Sequence, residues 1–124
     1  MNAKDVSVEI RTTRESFPPF DAVLSERDGF LQIRGEFDIT YGSSKICVSR
    51  KEPLGYFLEF AEGLTRTTFI DTPYGKAEMS YTVSKISYKK ADNRHIFKIA
   101  YKQQGSDSFE LYTITATEKQ GVRK

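Results

Sequence analysis

The sequence predicts an all-β protein, an antiparallel meander of about eight to ten short strands curling into a barrel. Three observations carry this. The chain holds 26 Val, Ile and Thr residues against 13 Leu and Ala. β-Branched residues fit a pleated surface and lose rotamer freedom in a helix. Apolar and polar residues alternate with period two through most of the chain, and turn signals fall between the alternating runs.

The elements follow in order. Val6, Val8 and Ile10 face one way, with Ser7, Glu9 and Arg11 facing the other. Arg27-Asp28-Gly29 carries the Asp-Gly pair of a tight hairpin, whose central residues take positive φ. Phe37, Ile39 and Tyr41 alternate with Asp38 and Thr40, then Gly42-Ser43-Ser44 turns the chain. Ile46 and Val48 share a face that Arg50 continues, and Tyr56, Leu58 and Phe60 share another. Leu54, Phe57, Leu58, Ala61 and Leu64 also fall at near-helical spacing. Residues 54–64 therefore keep a short helix as an alternative, with the aromatics favouring a strand.

Thr72-Pro73-Tyr74-Gly75 has Pro second and Gly fourth, the pattern of a type I turn. Tyr74 is expected to close a barrel end. His95, Phe97, Ile99 and Tyr101 form one further face, and Phe109 and Leu111 another. Phe17-Pro18-Pro19-Phe20 must be extended and cannot lie mid-sheet. So many antiparallel strands must close or fold over, because open edges invite aggregation. A two-sheet sandwich is the main rival to the barrel.

Composition bounds the rest. At 124 residues the chain is one domain, read as 1–124 with a core over about 6–118. Nineteen basic residues against 17 acidic leave a formal charge of +2, which argues against nucleic acid as the default partner. One cysteine forms no internal disulfide, and one histidine with one cysteine builds no conventional structural zinc site. No cofactor or metal is expected. The first residues carry no apolar signal region, and no stretch approaches the length of a membrane helix. The expectation is a cytoplasmic protein with no membrane association.

A family becomes visible in four ordered pieces: Lys45-Ile46-Cys47-Val48-Ser49-Arg50-Lys51, Phe57-Leu58-Glu59-Phe60, Asp71-Thr72-Pro73-Tyr74-Gly75 and Ile99-Ala100-Tyr101. Together they resemble the YwiB-like family of small bacterial proteins of unknown function, over roughly residues 6–118. The resemblance implies a calycin or lipocalin-like barrel and no activity. One departure stands out. Almost no loop separates Arg34-Gly35-Glu36 from Phe37-Asp38-Ile39, where the family pattern has a longer connection.

Chemistry-bearing residues are sparse. Lone His95 suits acid–base work by its ordinary pKa, but the sequence shows it no partner and it reads as a strand-end histidine. Cys47, between Ile46 and Val48, reads as a small sheet residue. The pairs Glu36/Asp38 and Asp71/Glu78 read as solvated faces. No phosphate-binding glycine loop is present. No constellation marks an enzyme.

Two binding hypotheses remain. In the first, the barrel interior holds a small, partly apolar or anionic ligand. Arg50 is its anion contact, because a guanidinium fork binds two oxygens at once, and Tyr41, Tyr56 and Tyr101 line the cavity. The favoured alternative is that the large rings fill the barrel and Arg50 snorkels at its rim. In the second, Lys85, Lys89, Arg94, Lys98 and Lys102 form a basic outer face on one hairpin and meet nucleic acid or protein there. Oligomeric state is not readable from the sequence.

Overall fold

The structure is a computed structural model that describes residues 2–13, 16–50 and 55–119, with the backbone alone at Asn2 and Tyr56. Ten strands make one sheet: β1 Asn2–Thr12, β2 Phe20–Arg27, β3 Phe30–Arg34, β4 Asp38–Gly42, β5 Lys45–Arg50, β6 Tyr56–Phe60, β7 Thr65–Thr72, β8 Gly75–Ala91, β9 Arg94–Gln103 and β10 Glu110–Glu118. No helix occurs among the described residues, so the helical alternative at 54–64 gives way to β6 and a turn at Glu62-Gly63. A single sheet also excludes the sandwich.

Every neighbouring pair is antiparallel, in the order β6-β5-β4-β3-β2-β1-β10-β9-β8-β7. The meander thus closes through its first and last strands, with Val6 opposite Glu118 and Thr12 opposite Tyr112. Its seam falls mid-chain, between β6 and β7. No ladder joins those two strands, but they meet. Asp71 N–H donates to Gly55 O at 3.0 Å, and Thr68 Oγ1 donates to Phe57 O at 3.0 Å. The result is a nearly closed barrel.

The tight turns obey the sequence. Asp28 and Gly29 (φ 53° and 83°) and Ser43 and Ser44 (φ 52° and 63°) make two-residue loops of the type I′ kind. Pro73 and Tyr74 link β7 to β8, and the Thr72 hydroxyl accepts the Tyr74 N–H at 3.1 Å. Tyr74 itself is 98% exposed. It closes nothing, which corrects its expected role.

Inward rows from every strand except β7 build one core. Val6, Val8, Ile10, Ile33, Ile39, Ile46, Val48, Phe60, Phe97, Ile99 and Ile114 are buried. Each such side chain contributes roughly 1.5–3 kcal/mol through burial. Phe109 and Leu111 point outward, more than half exposed. Register explains this correction. Tyr112 lies opposite Ile99 and Ile114 opposite Phe97, so the even-numbered residues of β10 face in.

A β-bulge between Val83 and Lys85 resets β8. Before it Tyr81 and Val83 face inward. After it Ile86 and Tyr88 do, while Lys85 and Lys89 turn to solvent. An extra residue flips the side-chain parity of everything beyond it.

One barrel end is plugged. Phe37 is buried and packs its ring against Phe17 at 5.4 Å and Phe20 at 5.5 Å. The short β3–β4 connection makes this possible. A Cβ on Gly35 would meet Ala22 Cβ at 2.8 Å and Asp21 O at 3.0 Å, so only glycine lets the chain pass so close.

Candidate functional site at the barrel mouth

The opposite end is open. There the inward rows run out of apolar residues and finish in polar ones. Val6 gives way to Lys4, Leu24 to Glu26, Tyr88 to Lys90, Phe97 to His95 and Ala116 to Glu118. These side chains, with Leu31 and Tyr41, line a cavity of about 390 Å³.

His95 sits at its base, 4% exposed. Nε2 lies 2.8 Å from Glu118 Oε2, and Nδ1 lies 2.8 Å from the Tyr88 hydroxyl. Lys4 Nζ adds a contact to Glu118 Oε2 at 3.4 Å. The hydrogen bond from His95 holds the Glu118 carboxyl below its ordinary range, with Lys4 assisting against partial burial. Burial pushes the Tyr88 phenol up, and the Glu26 carboxylate adds to this.

An ionised Glu118 only accepts, so Nε2 donates to it. Nδ1 and the Tyr88 hydroxyl share the second hydrogen bond, so the line runs from Tyr88 through His95 to Glu118.

Backbone geometry places each member. His95 is the second residue of β9, directly opposite Lys90, and Ala116 faces it from β10. Glu118 is pinned beside the β8–β9 turn. Its N–H donates to Asn93 O at 2.8 Å, and Asn93 Nδ2 donates to its carbonyl at 3.1 Å. Tyr88 reaches inward only because of the bulge. Its ring packs on Tyr41 at 4.9 Å and on Phe97 at 4.9 Å.

A second opening of about 390 Å³ shares Tyr41 and is lined also by Ser43, Ser44, Lys45, Ala61, Glu62, Ile86 and Ser87. It lies where β8 runs on past Thr82, the partner of Thr65 at the start of β7. Glu62 Oε2 accepts the Ile86 N–H there, at 3.3 Å.

The residues singled out in the sequence scatter. Arg50 lies at the plugged end, four residues along β5 from the partner of Tyr41, or roughly 13 Å. Its Nη2 contacts Glu36 Oε2 at 3.0 Å, and its guanidinium sits 4.8 Å above the Phe37 ring. Tyr101 is buried against Phe60 at 5.6 Å and Tyr81 at 6.0 Å. Only Tyr41 reaches the mouth, and the side chain of Tyr56 lies outside the described residues. Arg50 is thus separated from Tyr41 and Tyr101, which corrects that part of the grouping, while the Tyr56 backbone lies directly opposite Arg50 in the β5–β6 register. Large rings fill the middle of the barrel and close it between the two ends.

The other candidates are structural. Burial pushes the Cys47 thiol up, and neighbouring Glu59 adds to that. Asp38 accepts the Gly35 N–H at 3.4 Å, and Asp71 contacts Lys76 at 2.6 Å. No cluster of metal-ligating side chains occurs among the described residues. Lys85, Lys89, Arg94, Lys98 and Lys102 all take outward positions on β8 and β9, and Lys102 Nζ lies 5.6 Å above the Phe109 ring.

Sequence reasoning missed Tyr88 and Glu118. A signal for Glu118 existed: Tyr112, Ile114 and Ala116 lead into it with period two. Nothing in the sequence announced the bulge that delivers Tyr88.

Fold and mouth together define a small antiparallel β-barrel, plugged at one end and polar at the other. The barrel is similar to the crystal structure of the ywiB protein from Bacillus subtilis, with a TM-score of 0.76 at 10% sequence identity, covering 95% of this chain and 94% of that one. No family model matches the chain, and no curated protein does. At that identity the likeness shows a shared fold. No described helix is long and apolar enough to cross a membrane.

Proposed function

We propose that the protein binds a small, partly apolar molecule in the barrel mouth, with an anionic or hydrogen-bonding head group toward His95. The carrying observation is a histidine buried at the base of a cavity, with both ring nitrogens held. A buried polar cluster in an otherwise apolar barrel is the informative exception to packing. Leu24, Leu31 and Tyr41 suit the ligand's body, and Lys4 and Lys90 suit its head. A bacterial cytoplasm and kinship with YwiB-like proteins belong to the same reading.

Anilinonaphthalene sulfonate, an aromatic anion, tests it by fluorescence titration. Lys90→Ala and Tyr41→Ala are expected to weaken binding several-fold. Arg50→Ala, at the plugged end, is expected to leave it unchanged. Equal affinity in all three variants defeats the assignment.

The outer face of β8 and β9 supports a second reading, a surface-interaction module. Register puts Lys85, Lys89, Arg94, Lys98 and Lys102 on that one face, beside exposed Phe109 and Leu111. Its mark is binding that weakens steeply with salt.

A further inference from the structure

We propose that Tyr88 is a nucleophile activated by His95 and Glu118, and that the mouth hydrolyses small, partly apolar esters through an acyl-tyrosine. This rests on the mouth being the binding site. The argument is geometric. A hydroxyl lies 2.8 Å from an imidazole nitrogen. The other imidazole nitrogen lies 2.8 Å from a carboxylate. A nucleophile, a base within hydrogen-bond reach and a third group orienting the base make up an acyl-transfer site. Tyr88 also lines a cavity of about 390 Å³, which gives a substrate room beside it.

The steps balance. Tyr88 Oη forms a bond to the ester carbonyl carbon as its proton passes to His95 Nδ1. The bond from that carbon to the leaving oxygen breaks, and the leaving alkoxide takes the proton from Nδ1. Water then attacks the acyl-tyrosine and gives a proton to Nδ1. The bond to Oη breaks, and the proton returns to Tyr88. Glu118 is a positioning residue that accepts from Nε2 and stabilises the imidazolium formed in each half. Lys90 has no ion-pair partner among the described residues, and with Lys4 it lines the same cavity, where a developing oxyanion meets positive charge.

Relay groups are rare in barrel interiors, because a buried polar network needs every member satisfied. Here the network is satisfied, and its members Tyr88, His95, Glu118 and Lys4 all line the cavity. The groups facing His95 are Tyr88 and Lys90 from β8, Glu118 from β10, Lys4 from β1 and Glu26 from β2. Each enters the pH dependence of the step.

The full chain with para-nitrophenyl acetate tests the proposal. Nitrophenolate release gives the rate, and peptide mass spectrometry locates the acetyl group. The expected result is one acetyl group on Tyr88, absent in Tyr88→Phe. His95→Gln is expected to slow acylation roughly a hundredfold. Glu118→Gln is expected to move the pH profile of acylation toward lower pH, which a carboxylate that only props the fold would leave in place. Arg50→Ala is expected to match the parent.

Acetylation confined to lysines overturns the proposal, as does acetylation of Tyr88 at an equal rate in His95→Gln. The binding reading is scored separately. If anilinonaphthalene sulfonate binds and Tyr88 stays unmodified, only the acyl-transfer proposal falls. If neither probe engages the mouth, both fall.

Discussion

Glu118 joins three strands through one carboxylate. It meets His95 of β9 and Lys4 of β1, and its backbone closes on Asn93. Its folded pKa lies below the ordinary 4.5. Above 4.5 the group is ionised in both folded and unfolded chains, and its stabilising contribution is complete. Below that value the unfolded chain takes up the proton first, and the contribution is lost as pH falls through the folded pKa. Melting temperature is therefore expected to decline on acidification from about pH 5. Glu118→Gln should show a shallower acid decline; an acid limb identical to the parent's would remove Glu118 from the account. At this scale the sequence was half legible. Period two placed His95 on the Phe97, Ile99 and Tyr101 face, as found. The partners of His95 come from other strands, and only the fold sets the pairing between them. Arg50 misled for the same reason: it continues an apolar row, but toward the plugged end.

The elements that do not pair are as telling as those that do. At the seam, Tyr81 reaches across from β8 and treats β6 as a strand would. Its hydroxyl accepts the Glu59 N–H at 3.0 Å and donates to the Glu59 carbonyl at 2.8 Å. Outside, Glu59 bridges Lys45 at 2.8 Å and Arg66 at 2.6 Å, tying β5, β6 and β7 together. Tyr81→Phe leaves two backbone groups without that partner. It is expected to cost about 1–3 kcal/mol in urea denaturation, with the slope unchanged. A midpoint equal to the parent's would show that the phenol does not hold the seam. Strands and turns were largely readable, since alternation and Asp-Gly or Pro-x-Gly patterns act locally. The parity of β10 was not, because Phe109 and Leu111 imitate an inward row until their partners on β9 are known. The bulge in β8 left no mark that period-two counting can detect.

At the scale of the molecule, closure depends on β1 meeting β10. Barrel and strand number followed from alternation, turn spacing and the need to cover edges. The position of the seam did not follow, because several cuts of such a meander satisfy the same pattern. Joining Asn2 to Lys119 by a short linker and opening the chain at Glu62-Gly63 would turn the order into an uninterrupted meander from β7 through β10 to β1 through β6. That permutant is expected to fold cooperatively, with the circular dichroism spectrum of the parent. Failure to fold would mean that the β6–β7 connection, rather than the sheet, organises the barrel. The plugged end gives the molecule a polarity. Phe17, Phe20 and Phe37 close one end, and the openings lie at the mouth and beside Tyr41.

The β1–β10 ladder has a mechanical corollary. Val6 and Glu118 form its outermost pair, and the start of β1 and the finish of β10 lie together at the mouth. Tension applied between those two points loads a single pair of hydrogen-bonding residues, then the next, as a zip opens. The barrel is thus weak to pulling at exactly the place where it is closed, and a machine that threads polypeptides would unravel it from the rim that carries His95.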